Sequence, residues 1–504
     1  MLQSILQTLS NRSVHRQVLL LAIPMVLSNI TVPLLGLVDA AVIGHLEHAW
    51  YLGGVALGGT VVSVTFWLLG FLRMSTTGLA AQAYGEQSPQ KLALVLLQGL
   101  LMALAFALLF LILHRWIGDA IFSASSASEQ VKQYGLQYFV IRAWSAPAAL
   151  ANFVLLGWLL ATQNAKAPMW MVIITNLTNI ALDILFVLGF GWKVEGAALA
   201  SVIADYAGMS FGLLCVWRYW LRHQLPSPLQ LGVLVTQGLS RFVKLNRDIF
   251  LRSLCLQAAF SFMTFQGAAF GDQTVAANAV LMSFLMMISY GMDGFAYAME
   301  AMVGKAIGAK SEAQLKSALI GSFFWSALIC LALTVMFAVW GSALITLITD
   351  INAVQQAANR YLPWLVAMPL TAMWCFLLDG IFIGATKGKE MRNSMFVAMC
   401  SFFSVFYLAQ SLGNHALWMA MISFMAMRGI SLGVVFISQW RRGVFLTLSP
   451  NLSLSTSLTR LPKRKPHSLA AFIPLAGRIR SMIRTIDSGH LTPPRGRLRP
   501  WLDN

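Results

Sequence analysis

The sequence predicts an all-α polytopic membrane protein, with twelve transmembrane helices forming two six-helix repeats around a central cavity. Three observations carry that expectation. Apolar residues make up 58% of the 504 and charged residues only 11%, with a mean hydropathy of +0.71, a balance outside that of soluble globular chains. The apolar residues gather in twelve windows of about 20 residues, the length an α-helix needs to cross a bilayer. Short sequence matches also recur at one offset between the first six windows and the last six.

In chain order the windows cover roughly 17–42, 52–74, 91–113, 134–160, 168–190, 196–218, 249–270, 276–300, 316–340, 357–384, 393–411 and 415–438. The first apolar stretch, Val18 to His45, contains Pro24 and Pro33, which remove backbone donors and can bend a helix, and one carboxylate, Asp39. An ionisable group at the centre of a membrane helix costs roughly 2.5–3.5 kcal/mol, so Asp39 is expected to face a partner or a pathway. Residues 1–16 carry no cleavage-site pattern, which predicts a retained first span. The expected domains are an N-terminal six-helix bundle, 1–218, a cytoplasmic linker, 219–248, a C-terminal bundle, 249–440, and a basic tail, 441–504.

The formal charge of +17 is distributed as a topology signal. Connections after even-numbered spans hold fifteen Lys or Arg: Arg73, Lys91, Lys166, Arg218, Arg222, Arg241, Lys244, Arg247, Arg252, Lys305, Lys310, Lys316, Lys387, Lys389 and Arg392. The opposite side holds four, Arg115, Lys132, Lys193 and Arg360, which places both termini in the cytoplasm. The tail adds twelve Lys or Arg against Asp487 and Asp503, and its Pro, Ser and Arg content predicts disorder, with anionic lipid as a partner. It lacks the interleaved aromatics of a nucleic-acid surface, so no nucleic acid is expected. The five cysteines lie in apolar segments at no metal-like spacing, which predicts neither disulfides nor ligation.

Ser145-Ala146-Pro147 matches Ala367-Met368-Pro369 at an offset of 222, Ala161-Thr162 matches Ala385-Thr386 at 224, and Tyr84-Gly85-Glu86-Gln87-Ser88 matches Ile307-Gly308-Ala309-Lys310-Ser311 at 223. Agreement on one offset indicates two parallel repeats, an architecture that places a substrate site between them. The same alignment makes the phosphate-loop look-alike from Gly304 to Ser311 a cytoplasmic turn, since no strand precedes it. His45-Leu46-Glu47-His48 is too small a ligand set for a metal. No nucleophile–base arrangement appears, so neither an enzyme activity nor a cofactor is expected.

Six of the eighteen acidic residues fall within or at the ends of spans: Asp39, Asp183, Asp205, Asp293, Glu300 and Asp379. Asn179 and Asp183 stand one turn apart on span five, and Ser201 on span six reaches a similar depth, as does Asp39, with Asp205 nearer the midplane. Carboxylate, amide and hydroxyl oxygens so gathered suit a proton, since two close carboxylates cannot both stay ionised cheaply, or a sodium ion. In the second half, Asp293 and Glu300 share a helix face with Tyr290 and Tyr297 amid Met282, Phe284, Met286, Met287, Met292, Phe295 and Met299, candidates for substrate contact or for simple packing. Glu300 reads equally as a helix-end charge, and Arg142 and Arg428 are candidate partners for the acids.

Pro24 and Asp39 in span one, Asn179-Ile180-Ala181-Leu182-Asp183 in span five and Gly196-Ala197-Ala198-Leu199-Ala200-Ser201 in span six resemble the multidrug and toxic compound extrusion (MATE) transporters. Stretches such as NITVPLLGLVDAAVIGHL, FLRMSTTGLAAQA and DGFAYAMEA resemble the DinF branch of that family, over residues 15 to 442. The resemblance implies a monomeric inner-membrane antiporter that exports organic cations or other amphiphiles in exchange for protons or sodium. It implies protonation at Asp39 assisted by Asn179, Asp183 and Ser201, with helix bending at Pro24. Asp205, Asp293, Glu300, Asp379, Tyr290, Tyr297 and Met287 remain candidates for substrate or coupling contacts. The sodium-coupled NorM branch uses an acid in span seven. None occurs here between Arg252 and Gly271, although Asp379 resembles that branch's span-ten acid, and this favours protons. A flippase for lipid-linked precursors and a non-transporting damage-response scaffold are the alternatives.

Overall fold

The computed structural model describes residues 9–44, 48–232 and 234–445. The helices, in order, are α1 (Arg12–Gly44), α2 (Ala49–Leu69), α3 (Phe71–Gly85), α4 (Pro89–Ala124), α5 (Glu129–Ala143), α6 (Ala146–Ala161), α7 (Lys166–Asp183), α8 (Lys193–Arg222), α9 (Pro228–Gly232), α10 (Leu239–Ala269), α11 (Asp272–Gly308), α12 (Glu312–Ile348), α13 (Asn352–Gly384), α14 (Gly388–Leu408) and α15 (Asn414–Arg441). Among the described residues ten spans are long and apolar enough to cross a membrane, with α2 and α3 counted together, and α5 with α6 forms an eleventh that bends by 56°. The bend falls where the first helix ends at Trp144 and Pro147 opens the second, because a proline cannot continue a hydrogen-bond ladder. The 31-residue α10 occupies the place of the remaining predicted span. The protein is a multi-pass membrane protein built on two six-helix groups.

Two expectations need correction. The polar link 219–248 is mostly helical: α8 runs on to Arg222, α9 intervenes and α10 begins at Leu239. Phe242, Leu245, Asn246, Ile249, Arg252 and Ser253 are buried at helical spacing, so this stretch is amphipathic, a pattern that a search for uniformly apolar windows misses. Span two likewise continues past its predicted end at 74 through α3 to Gly85. The tail beyond residue 445 and the His45–Glu47 part of the histidine motif lie outside the described residues.

Serine caps start several helices. Ser88, Ser128 and Ser311 accept hydrogen bonds from the backbone N–H of Lys91, Val131 and Gln314, satisfying donors that a helix start leaves unpaired. Residues 304–308 of the phosphate-loop look-alike are the last turns of α11, and Ser311 caps α12. The cysteines are free, with Cys255, Cys330 and Cys375 buried.

The two groups meet toward one end, near the turns at 86–88, 162–165, 309–311 and 385–387 and the α8–α10 connection. There α3 and α11 cross at backbone distance, each presenting small residues to the other. A Cβ placed on Gly85 would lie 2.1 Å from the Lys305 carbonyl oxygen, and one on Gly308 would lie 2.0 Å from that of Gln82. Gly304 faces Ala81 between these two contacts, and Gly78 faces the Ile383 carbonyl. Such close approach lets helices pack without side chains to separate them. Toward the opposite end each group packs on itself: Val42 and Ile43 of α1 with Tyr51, Val187 and Val194, and Asn278 of α11 with Asn414 and Trp418.

Candidate functional site

Buried polar groups collect in three places. In the first half, Asn179 and Asp183 on α7 are each 2% exposed and Ser201 on α8 is 8% exposed. The Asn179 amide donates to Ser201 Oγ at 2.9 Å, which joins the two helices. One turn before Asn179, Asn176 donates to Thr31 Oγ1 on α1 at 2.7 Å. Asp39 lies further along α1, and its side chain is outside the described residues. Pro24 and Pro33 sit inside a helix that is continuous over Arg12–Gly44. Immediately after Asp183 the chain widens into a π-helical turn, Ile184–Gly189, with Phe190 N–H bonded to the Leu185 carbonyl at 2.9 Å. Such turns are frequent at functional sites, and no composition signal announces this one.

Asp205 does not join that cluster. Its carboxylate pairs with Arg142 on α5 at 2.6 Å, and Arg142 also donates to Ser145 at the bend between α5 and α6. This pair fastens α8 to the bent span.

In the second half nearly every buried acid has a guanidinium partner. Asp379 of α13 accepts hydrogen bonds on one oxygen from Arg252 of α10 and from Arg428 of α15, the latter at 2.7 Å, with all three side chains under a tenth exposed. Arg428 was an expected partner. Arg252 was expected to be a loop charge, and it is instead a buried helical residue. The carboxylate that could have held a cation is thus already matched by two cations. Removing one member of a buried pair typically costs about 3–5 kcal/mol because the remaining charge stays unpaired. Asp379→Asn is therefore expected to lower stability by that amount, read as an earlier thermal transition of the detergent-purified protein.

Glu300 is not a helix-end charge. It is 1% exposed and takes a two-pronged ion pair from Arg73 of α3, at 2.9 Å and 3.3 Å, while the same guanidinium lies 4.0 Å from the centre of the Tyr297 ring. Arg73 was also expected in a loop. No proline interrupts residues 74–84 and the turn signal comes only at Gly85-Glu86-Gln87-Ser88, so that longer helix was readable in the chain. This pair joins the two halves. Asn29 of α1 adds a bond to the Tyr290 carbonyl at 3.2 Å, Gln82 one to the Gly384 carbonyl at 2.9 Å, and Gln163 one to the Ala301 carbonyl at 3.1 Å. Asp293, half-buried between Tyr290 and Tyr297 in sequence, has no hydrogen bond or ion pair among the described residues. Of the methionine series, Met292 and Met299 belong to the packed core and Met287 is 41% exposed.

Two helix bundles that meet at one end, with buried charges at their seam and within each, describe a carrier rather than a catalyst. The MatE family model matches residues 24–185 and again 249–410, one match per half, and the chain belongs to that family of multidrug efflux transporters. It is similar to the DNA damage-inducible protein F of Escherichia coli (strain K12), with 48% identity over 425 residues that cover 84% of this chain and 92% of that protein. A probable multidrug resistance protein NorM of Synechocystis sp. is 24% identical over 378 residues, 73% of this chain and 79% of that one. Among solved structures, an outward-facing multidrug resistance MATE family transporter superposes with a TM-score of 0.73 at 19% identity, covering 86% of this chain and 97% of that chain, which shows the shared fold.

Proposed function

We propose that the protein exports amphiphilic organic cations across the bacterial inner membrane, with both termini cytoplasmic, in exchange for protons taken up at Asp39, Asn179, Asp183 and Ser201. The observation that carries this reading is the difference between the halves. Asp379 and Glu300 are held by arginines, whereas the first half buries Asp183 with an amide and a hydroxyl joined at 2.9 Å. A carboxylate matched by guanidinium has no capacity left for a coupling ion, because Arg stays charged. The carboxylate, amide and hydroxyl oxygens of the first-half cluster are hard donors of the kind that suit a proton or a sodium ion.

With the end near the α8–α10 connection taken as cytoplasmic, the α3–α11 crossing shuts the inside, and export requires it to part. Half-buried Asp293, beside Tyr290 and Tyr297, is the second-half group best suited to a cationic substrate, with Met287 as an adaptable apolar neighbour. A flippase for anionic lipid precursors would need spare cations among the fully buried charges inside the bundles. Arg73, Arg252 and Arg428 each have a carboxylate, which supports the exporter.

The test is efflux of a fluorescent cation from proteoliposomes under an imposed proton or sodium gradient. Asp39→Asn is expected to reduce gradient-driven efflux to the leak of empty liposomes, with substrate binding retained. Efflux at the unsubstituted rate would refute the coupling assignment. If sodium drives export and protons do not, the same residues hold a metal cation. Deletion of residues 443–504 is expected to leave efflux intact, whereas a scaffold acting through its tail would lose its activity.

A further inference from the structure

Beneath the crossing of α3 and α11 lies a cavity of about 430 Å³ that is lined by none of the buried polar clusters described above. Its walls come from both halves: Tyr84 and Ser88 at the end of α3 and start of α4, Tyr219 and His223 at the end of α8, and Lys305 and Gln314 on α11 and α12. We propose that this cavity binds a planar aromatic anion from the side of the α8–α10 connection, and that the occupant holds that end shut.

The charge of the ligand follows from Lys305. Its ammonium group lies 5.7 Å from the centre of the Tyr84 ring and has no ion pair or hydrogen bond among the described residues. The carboxylates close in sequence to Lys305 and to the lining residues Gln87 and Gln314 are all taken by other cations, Glu300 by Arg73, Glu86 by Lys91 and Glu312 by Lys316 at 2.7 Å. No carboxylate lines the cavity. An anion would therefore meet an uncompensated cation and no opposing charge.

The aromatic character follows from the rings. Tyr219 and His223 stack with centres 3.9 Å apart, Trp158 packs edge-on behind Tyr219 at 5.1 Å, and His223 Nδ1 is fixed to the Tyr219 carbonyl at 3.0 Å. These contacts hold a flat wall in place before any ligand arrives, which lowers the ordering cost of binding. The volume lies within the range of small-molecule sites.

State dependence follows from the crossing itself, since Gly85 abuts Lys305 and Ala309 there. Parting α3 from α11 would carry Lys305 and Gln314 away from the tyrosines and dismantle the site. A ligand that binds only the closed arrangement must favour it. This inference rests on the fold and not on the coupling assignment, so it is testable in Asp39→Asn as well.

Naphthalene-2-sulfonate is the probe, titrated calorimetrically into the full chain in phosphatidylcholine nanodiscs. Saturable binding at one site is expected, weakened at least about tenfold by Lys305→Gln and by His223→Ala but unchanged by Lys310→Gln, whose side chain lies outside the cavity. The same sulfonate on that side of proteoliposomes is expected to slow efflux. Equal affinity in Lys305→Gln, equal binding of a naphthyl trimethylammonium cation, or binding without slowed efflux would each overturn the proposal.

Discussion

Glu300→Gln is expected to loosen the closed end by about 3–5 kcal/mol, which shifts the balance between closed and parted arrangements by roughly two to four powers of ten. The amide leaves Arg73 in place, buried and charged, without its two-pronged acceptor. Water entering from a parted end is the cheapest way to solvate it. Distances between spin labels at Gln87→Cys and Lys310→Cys, in a background with Cys215 and Cys400 replaced by serine, report the shift as a longer population. Arg73→Leu combined with Glu300→Leu removes both charges and is expected to restore most of the closed population, because an apolar pair of similar size substitutes well for a buried ion pair. If the single and double variants behave alike, the pair is not what holds the seam.

The second large effect belongs to the glycines of the crossing. Gly308→Val would put a Cβ 2.0 Å from the Gln82 carbonyl oxygen, and Gly85→Val one 2.1 Å from that of Lys305. Neither neighbour is a side chain that can swing aside, so the helices themselves must separate. Both variants are expected to abolish the short label distance and to cut efflux severely, since a carrier confined to one arrangement cannot alternate. Gly291→Ala on the same helix is the control. Nothing lies within 4 Å of its added carbon, and the change is expected to leave distances and efflux unaltered while gaining up to about 1 kcal/mol of helix stability.

Much of this organisation was legible in the chain. Apolar windows located the spans, the repeat offset aligned Gly85 with Gly308, and helical spacing put Asn179 on the face that meets Ser201. Arg73 and Arg252 were misplaced for a common reason. A cation beside an apolar run resembles a topology marker, and the carboxylate that makes it tolerable inside lies more than a hundred positions away, at Glu300 and Asp379. Charge counting along a chain cannot see such a partner. The π-helical turn after Asp183 was equally hidden, because its residues, Ile184 to Gly189, suit an ordinary α-helix. Asp205 had the right spacing from Ser201 but the wrong neighbour, Arg142, which reached it from the bent span.

The crossing of α3 and α11 also bears on ancestry. Gly85 touches Lys305 while Gly308 touches Gln82, and Ala81 meets Gly304 between them, so the three contacts are exchanged among themselves by the repeat offset of 223. This is the signature of an isologous interface, in which one patch meets its own copy across a two-fold axis. A single six-helix chain with a glycine at that position could have formed the same seam with a second identical chain. Fusion would then have frozen a homodimer into one polypeptide and freed its halves to diverge, one keeping an oxygen-lined acid cluster and the other neutralising its acids with arginine.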